Sequence, residues 1–336
     1  MSSSHWLITT LLGLEDLLAR DLTGKGVNVI GVYPSRVLAE STIKPESRLA
    51  ENITRVYALT PLTSTSTREV RLTLRSVLRE AGQLKAILEE SGRVRVKARS
   101  EGELSSRALT LIAARELKRC YKGLELSKSP SALTLRCELL TGKLIVGVEE
   151  AKGLHNREYT VFWHPAMINP LLASAMSMEA GLTPHSLIED PFCGGATIPI
   201  EACLASEASA VAFDVNRGYV EGARRNVASS RLEGVVEVFQ ASILSPPLRH
   251  GSVDALLTDP PRGLRMPSKG LAKLYRALLK HAQEVLVDGG RLLVVTDKPS
   301  LVTRQLKGSR LKLVAERAVY AGGLKLRLLR LTLTGR

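Results

Sequence analysis

The second half of the chain repeats an order of short apolar runs and longer helical segments. Segments such as LAKLYRALLKHAQEVLV place apolar residues at the three- and four-residue spacing of an amphipathic helix. Strands that alternate with helices predict a doubly wound parallel sheet, an α/β fold whose ligands bind at the carboxyl ends of the strands. The runs that predict buried strands are SLIED at 186–190, SAVAFD at 209–214, VVEVF at 235–239, VDALLTD at 253–259 and RLLVVTD at 291–297. At the end of the chain, LKLVAERAVY and LKLRLLRLTLTG flank Ala-Gly-Gly and predict a terminal antiparallel hairpin.

The first half has a different, α+β pattern. WLITTLLGLEDLLARDL predicts a strand and a helix, and VNVIGVYPSRVLAEST predicts two short strands. TREVRLTLRSVLREAGQLKAIL predicts one long helix, RVRVKARS predicts a strand of period two, and LTLRCELLTGKLIVGVEE predicts a hairpin. The two halves are therefore expected to be separate domains.

The composition favours some classes of binding partner over others. The chain of 336 residues has a formal charge of +14, shared evenly by the two halves, which favours a polyanion such as nucleic acid. The sequence contains no apolar run of transmembrane length and no secretory leader, so we expect no membrane partner and a cytoplasmic location. The four cysteines lack paired spacing, so we expect neither a metal site nor disulfides.

A small-residue turn, EDPFCGGATIPIEA at 189–202, joins a predicted strand to a predicted helix. Such a turn lets backbone N–H groups approach a ligand closely at a helix N-terminus. The next strand ends in Asp214, where a carboxylate can accept hydrogen bonds from both hydroxyls of a ribose. The turn lacks the glycine patterns of dinucleotide and phosphate sites, which disfavours a pyrophosphate ligand.

DPFCGGATIPIEA closely resembles the D-P-x-C-G-[SG]-G-T-x-x-I-E-A signature of S-adenosylmethionine-dependent methyltransferases that modify guanine N2 in RNA. The stretch GLHNREYTVFWHPAMINPLLASAMSMEAGL is similar to the lead-in that joins the family's THUMP domain to its catalytic fold. The resemblance implies three regions. They are a ferredoxin-like and THUMP RNA-binding region at 1–155, a linker at 156–163, and a Rossmann-like methyltransferase domain at 164–336.

The resemblance also assigns the cofactor-binding residues. Those at the strand ends hold the methionine end, the ribose and the adenine of S-adenosylmethionine. The assigned residues are Asp190, Phe192, Gly194, Gly195, Thr197, Asp214, Val215, Ser242 and Ile243. Ser242 stands where the family has an aspartate, and a serine hydroxyl hydrogen-bonds without charge assistance. Ala196 replaces a signature glycine, and we expect its backbone not to need a positive φ.

The turn TDPPRGLR at 258–265 follows the family pattern [DN]-x-P-[YF]-G-x-[RK], except that Arg262 replaces the aromatic residue. The exocyclic amine of guanine is a poor nucleophile, and acceptors for its two hydrogens aim its lone pair at the methyl group. We expect Asp259 and the carbonyl of Pro260 to be those acceptors, with Pro261 stiffening the turn. Arg262 either stacks on the base as the aromatic would, or faces solvent or a phosphate.

The RNA is expected to be a tRNA, gripped at its acceptor end through phosphates and shape. The alternation in RVRVKARS places four basic residues on one face of a strand. The candidate RNA-binding residues are Arg93, Arg95, Lys97, Arg99, Arg107, Lys118, Arg119, Lys122, Arg157 and Arg265. His155 and His164 receive no role.

The sequence therefore predicts a tRNA guanine-N2 methyltransferase, and two alternatives stay open. A non-catalytic RNA-binding protein with a degenerate methyltransferase fold would explain the departures at Ala196, Ser242 and Arg262. A uracil-C5 methyltransferase also carries Asp-Pro-Pro-Arg, but it needs a cysteine nucleophile where this chain reads VVTDKPS. The oligomeric state is left open, with a monomer as the working assumption.

Overall fold

A computed structural model describes residues 3–263 and 268–335 of the chain. The chain forms two compact units: one contains residues 1–9 and 19–153, and the other contains residues 10–18 and 154–336. Residues 156–163, expected to be a linker, lie inside the second unit, where the ring of Tyr159 is buried.

The strands of the first unit form one mixed sheet of eight strands in the order β2-β3-β1-β4-β8-β7-β5-β6. β5 runs parallel to β6 and β7, and the other neighbours are antiparallel. Helix α1 begins in the second unit and ends in the first. The elements up to residue 153 are β1 (Ser4–Thr9), α1 (Glu15–Gly24), β2 (Asn28–Tyr33), β3 (Arg36–Ser41), β4 (Asn52–Pro61), α2 (Thr67–Glu80), α3 (Gly82–Ser91), β5 (Arg93–Ser100), α4 (Ser106–Cys120), β6 (Glu125–Leu126), β7 (Leu133–Leu140) and β8 (Lys143–Ala151).

The single long helix expected in this unit is wrong, because the chain leaves helical geometry at Ala81 (φ −76°, ψ 86°). Two helices, α2 and α3, stand in its place. The apolar spacing continues across the break because both helices bury leucines, including Leu74 and Leu88, in the same hydrophobic core. The apolar periodicity therefore predicts which residues enter the shared core, but it does not predict the turn between the two helices.

The second unit is a Rossmann-like α/β domain with a terminal antiparallel hairpin, as predicted. Its seven strands have the order β11-β10-β9-β12-β13-β15-β14; neighbours from β11 to β13 run parallel, and β15 runs antiparallel to both β13 and β14. The elements are α5 (Pro170–Ala180), β9 (Leu187–Asp190), α6 (Thr197–Ser206), β10 (Ser209–Asp214), α7 (Arg217–Ser229), β11 (Val236–Gln240), β12 (Val253–Thr258), α8 (Ser268–Val285), β13 (Leu286–Thr296), α9 (Ser300–Thr303), β14 (Leu311–Ala321) and β15 (Leu324–Leu333).

The strand order reverses at β9. The chain proceeds from β9 to β10 and β11 on one side, and then from β12 to β13 on the other. Ligands of open α/β sheets bind at such a reversal, outside the carboxyl ends of the strands. Asp190 and Asp214 end β9 and β10, and Asp259 follows β12. The topology therefore gathers the three predicted acidic residues at one edge.

Candidate active site

The turn after β9 reaches helix α6 through two residues in the left-handed region, Gly194 (φ +50°) and Ala196 (φ +61°). The expectation that Ala196 needs no positive φ is wrong. Its N–H donates to the carbonyl of Cys193 (2.7 Å), and α6 starts directly after it, so the turn holds an alanine in a conformation that favours glycine. The cost is about 1–2 kcal/mol.

Two glycines in this turn lie against the segment that precedes α5. A Cβ atom at Gly194 would lie 2.9 Å from Nε2 of His164, and one at Gly195 would lie 2.7 Å from Cε of Met167. Neither position has space for a side chain unless the side chains of His164 and Met167 move. The two glycines thus allow the backbone of the turn and the preceding segment to approach closely.

Asp190 is buried and receives hydrogen bonds from neutral donors. Its Oδ1 accepts from the hydroxyl of Thr258 (2.8 Å) and from the N–H of Phe192 (3.2 Å). Burial raises the pKa of Asp190 to about 8, and repulsion from Asp214 and Asp259 adds to the shift. A cationic ligand group would restore the charged form of this carboxyl.

Asp214 is fixed by the backbone on both of its oxygens. Oδ2 accepts from the N–H of Gly194 (3.1 Å), and Oδ1 accepts from the N–H of Asn216 (2.9 Å). Burial raises the pKa of Asp214, while these hydrogen bonds act in the opposite direction. Each oxygen retains further acceptor capacity, so the carboxylate suits a vicinal diol such as a ribose.

The remaining predicted cofactor residues differ in their surroundings. Val215 is exposed and Ile243 is buried. The oxygen of Ser242 accepts from the N–H of Leu244 (3.2 Å), which leaves the O–H of Ser242 as a donor. The hydroxyl of Thr197 is buried and has no hydrogen-bond partner among the described residues. Phe192 packs partly into the core of the second unit.

The turn after β12 carries the predicted catalytic residues. Nη2 of Arg262 lies 2.8 and 3.1 Å from the two carboxylate oxygens of Asp259, so the arginine pairs with the predicted acceptor, and 24% of its side chain stays exposed. Burial raises the pKa of Asp259 to about 6, against the lowering effect of Arg262. Pro260 is buried and Pro261 is exposed.

Contacts with neighbouring residues fix this turn. Nζ of Lys298, after β13, donates to the carbonyl of Arg262 (2.6 Å). We call the turn from Asp190 to Thr197 the cofactor turn and the turn from Asp259 to Gly263 the target turn. Thr258, whose hydroxyl donates to Asp190, directly precedes Asp259, so one hydrogen bond links the two turns. Arg265 lies outside the described residues.

Sequence reasoning missed His164, which lies beside the cofactor turn. Its ring stacks on Tyr219, with centroids 4.2 Å apart and an interplanar angle of 6°. Burial lowers the pKa of His164, against the opposing effect of Asp214. Nδ1 accepts from the N–H of Ala166 (3.3 Å), whereas Nε2 has no partner among the described residues. Because only the fold brings His164 and Tyr219 together, no local sequence motif predicts their contact.

Asn226 on α7 is a second missed residue. Its Oδ1 accepts from the N–H groups of Val161 and Phe162 (3.0 and 2.8 Å), and its Nδ2 donates to the carbonyls of Phe162 and Gly195 (3.0 and 2.9 Å). This buried amide therefore ties the segment before α5 to the cofactor turn.

Two of the predicted RNA-binding residues pair with buried carboxylates. Nε of Arg157 donates to Oε1 of Glu201 (2.9 Å), and Nζ of Lys97 lies 3.0 Å from Oε2 of Glu149. Arg157 is largely buried in this pair, whereas the side chain of Lys97 keeps 32% of its surface exposed.

The other predicted RNA-binding residues of the first unit are more accessible. Arg93 pairs with Glu125 (3.2 Å) but stays exposed, and Arg99 donates to the hydroxyl of Ser35 (2.9 Å). Arg95 is half-buried. The predicted RNA-binding residues on α4 and just after it are all exposed: Arg107, Lys118, Arg119 and Lys122.

The described residues contain neither a helix that could cross a membrane nor a cluster that could bind a metal ion. No described helix combines the length and apolar character that a bilayer crossing requires. Within residues 3–263 and 268–335, no three His, Cys, Asp or Glu side chains are grouped so that they could hold a metal ion.

Comparison with protein families matches residues 157–327 to the RMKL-like methyltransferase domain, UPF0020. The chain belongs to this RMKL-like methyltransferase family. Its doubly wound sheet and acidic strand ends therefore form a methyltransferase domain.

Individual relatives agree with this assignment. The chain is 25% identical over 240 residues to the tRNA (guanine(6)-N2)-methyltransferase of Methanocaldococcus jannaschii. This match covers 59% of the chain and 63% of the relative. It is 30% identical over 224 residues to the corresponding enzyme of Thermus thermophilus, covering 65% and 66%. These matches span less than two thirds of each relative's length.

Solved structures extend the likeness to both units. The crystal structure of TrmN from Thermus thermophilus is 27% identical, with a TM-score of 0.81 and coverage of 98% of this chain and 99% of that one. SMU.472, a putative methyltransferase complexed with SAH, shares the fold at 19% identity and a TM-score of 0.78, with coverage of 100% and 99%.

Proposed function

We propose that this RMKL-like methyltransferase transfers the methyl group of S-adenosylmethionine to the exocyclic N2 amine of a guanine in tRNA. The observation that carries the proposal is the largely buried Asp259 carboxylate, which directly follows Thr258, the residue whose hydroxyl donates to Asp190 (2.8 Å). An acceptor for the amine and a cofactor turn therefore meet at one sheet edge. Relatives named as tRNA (guanine(6)-N2)-methyltransferases make guanine 6 the first position to test.

The residues of the turn after β9 fit the cofactor. Asp190 is a buried carboxyl whose hydrogen-bond partners among the described residues are neutral, which suits the methionine ammonium. Asp214 suits the ribose hydroxyls, and the O–H of Ser242 can donate to the adenine. When bound, S-adenosylmethionine supplies an electrophilic methyl group on a sulfonium.

Asp259 would hold the target amine through one hydrogen, and the Pro260 carbonyl would hold the other. Two acceptors restore lone-pair density to a nitrogen that is otherwise conjugated with the ring. When the nitrogen has gained its methyl group, it must lose a proton, and Asp259 is the base next to it. A carboxyl with a pKa of about 6 is ionised at neutral pH and can accept that proton.

The first unit would hold the tRNA as a THUMP-type region. The support is the exposed basic set on and after α4, which faces solvent while other basic residues of the unit pair internally. Such residues would contact phosphates and set the position of the RNA rather than read its bases.

The decisive experiment uses matched tRNA transcripts. The full chain is incubated with S-adenosylmethionine and an unmodified tRNA carrying guanine at position 6, and the products are digested for mass spectrometry. We expect N2-methylguanosine. A transcript with inosine at that position lacks only the amine and should receive no methyl group there. No methylated guanosine in any tRNA tried would contradict the proposal.

The same samples separate the alternatives. A degenerate RNA-binding protein should not bind S-adenosylhomocysteine in calorimetry, whereas the proposed enzyme should. A uracil-C5 methyltransferase should give 5-methyluridine. That product is disfavoured because Asp297, Lys298 and Pro299 follow β13 where the nucleophilic cysteine would be required.

A further inference from the structure

Trp163 differs from most other aromatic residues of the second unit because its side chain lies in solvent. It is 68% exposed, whereas Phe213 and Tyr275 are fully buried. Tyr320, at 44%, is the other strongly exposed aromatic among the described residues of this unit. Aromatic residues make up only 4% of the chain, so a tryptophan left exposed next to residues that contact the cofactor turn indicates a binding role.

The backbone on both sides of Trp163 is held in place. Asn226, which is fully buried, accepts from the N–H groups of Val161 and Phe162 and donates to the carbonyl of Gly195 (2.9 Å). On the other side, His164 stacks on Tyr219. Trp163 is therefore presented to solvent by an anchored segment that contacts the cofactor turn.

The surroundings of Trp163 combine apolar surface with positive charge. Val161, two residues before Trp163 in the chain, is also exposed. The guanidinium of the exposed Arg225 lies 5.5 Å from the ring centroid of Phe162, next to Trp163 in the chain. An aromatic face with a neighbouring arginine suits a nucleotide, because the base stacks and the cation faces the phosphate.

The target turn lacks the aromatic residue on which the family stacks its target base. The family's aromatic is replaced by Arg262, and the structure engages that arginine with Asp259. No described residue between Asp259 and Gly263 can stack a base through an aromatic ring.

We propose that Trp163 is a stacking platform for an unpaired base of the RNA substrate, beside the cofactor turn. The proposal rests on the proposed function for the identity of the RNA. The positive charge of the chain and of Arg225 favours a nucleic acid over an apolar protein partner.

The first test measures tRNA affinity of the full chain in Trp163→Ala, Trp163→Phe and a control, Tyr320→Ala. Stacking on an aromatic residue is worth roughly a 5- to 100-fold change in affinity. We expect Trp163→Ala to weaken tRNA binding by about that factor, Trp163→Phe to retain most of it, and Tyr320→Ala to match the unaltered protein. Affinity for S-adenosylhomocysteine should stay unchanged in all three.

Several outcomes would overturn the proposal. They are tRNA binding by Trp163→Ala at full strength, an equal loss in Tyr320→Ala, and a parallel loss of S-adenosylhomocysteine binding, which would show a structural role. A changed oligomeric state of Trp163→Ala in size-exclusion chromatography would identify a protein interface and would also overturn it.

Fluorescence gives a second test that needs no turnover. The chain has two tryptophans, and Trp6 is only 3% exposed, so acrylamide should quench mainly Trp163. Adding tRNA should protect Trp163 from acrylamide or quench it directly, and Trp163→Phe should lack this response. If methyl transfer occurs without that response, the platform is wrong and the proposed function stands. If tRNA protects Trp163 but no guanosine is methylated, the proposed function fails and the platform stands.

Discussion

The cofactor turn and the target turn each bury a carboxyl group at the same sheet edge, but they supply opposite kinds of partner. Asp190 receives hydrogen bonds from a hydroxyl and a backbone N–H, and its pKa is raised to about 8. Asp259 carries a guanidinium on both oxygens, and its pKa is about 6. Burial raises both pKa values, so the partner accounts for much of the difference.

The difference indicates what each turn requires of its ligand. The cofactor turn lacks a cation, so a positively charged ligand completes it. The target turn already holds a cation, so its ligand needs no positive charge, and each oxygen of Asp259 keeps acceptor capacity for a neutral amine beside Arg262. We therefore expect cofactor binding to be coupled to protons and the basicity of Asp259 to depend on Arg262.

The largest effect should follow removal of the carboxylate from the target turn. Asp259→Ala should lower kcat for guanine methylation by about 100- to 1000-fold, the scale observed when one positioned polar group is lost from a reaction site. Affinity for S-adenosylhomocysteine should hold, because the cofactor turn keeps its own carboxylates. Single-turnover kinetics and calorimetry measure the two quantities. A kcat within a few-fold of the unaltered enzyme would remove Asp259 from the chemistry.

The cofactor turn should show a pH dependence. Below about pH 8 Asp190 is mostly protonated, and binding an ammonium group requires it to lose that proton. Affinity for S-adenosylhomocysteine should therefore rise with pH by up to about tenfold per unit and level off above pH 8. Methylthioadenosine lacks the amino-acid group and serves as the matched ligand, with a flatter profile. Equal profiles for the two ligands would contradict the assignment of Asp190.

Asp190 should also affect stability. The pKa of Asp190 is higher in the folded state than in the unfolded state. Its contribution to the free energy of unfolding is therefore fully present below the unfolded-state pKa and is lost as pH rises through about 8. Asp190→Asn should consequently raise Tm more at pH 8 than at pH 5. The same variant should flatten the pH profile of S-adenosylhomocysteine binding.

Replacing Arg262 should shift the pH dependence of the target turn. Arg262 lowers the pKa of Asp259, so Arg262→Gln should raise it and move the acidic limb of kcat/KM to higher pH. We expect a several-fold loss near pH 7 that narrows in alkali. Arg262→Tyr restores the family's aromatic and should retain or raise activity at alkaline pH. An unmoved limb in Arg262→Gln would show that the pair does not persist in solution.

The acidic edge of the site was predictable because strand periodicity and the alternation of strands with helices along the chain are local sequence patterns. Asp190, Asp214 and Asp259 each end or follow an apolar run, and a doubly wound sheet places such ends together. The pairing of Arg262 with Asp259 was not predictable, since it depends on the path of the chain through two prolines.

Long-range contacts account for the other differences. Alternation in β5 shows which side chains share a face, but it does not show that the buried Glu149 of β8 pairs with Lys97. The same holds for Asn226, whose partners lie on the segment before α5 and on the cofactor turn. Such pairs follow from packing between elements distant in sequence.

The smallest predicted effect tests the backbone of the cofactor turn, where the sequence-based expectation was wrong. Ala196 holds a left-handed conformation, and glycine adopts it without the steric cost. Ala196→Gly should therefore stabilise the protein by about 1 kcal/mol, because the relieved strain exceeds the entropy that glycine loses on folding. Urea unfolding measures the change.

Gly194 provides the opposing control two residues away. It has a positive φ, and a Cβ atom there would lie 2.9 Å from Nε2 of His164. Gly194→Ala should destabilise the protein and weaken cofactor binding, since either the turn or the histidine must move. If both variants changed stability in the same direction, the left-handed start of α6 would not be the source of the effect, and the strain would have to lie elsewhere in the turn.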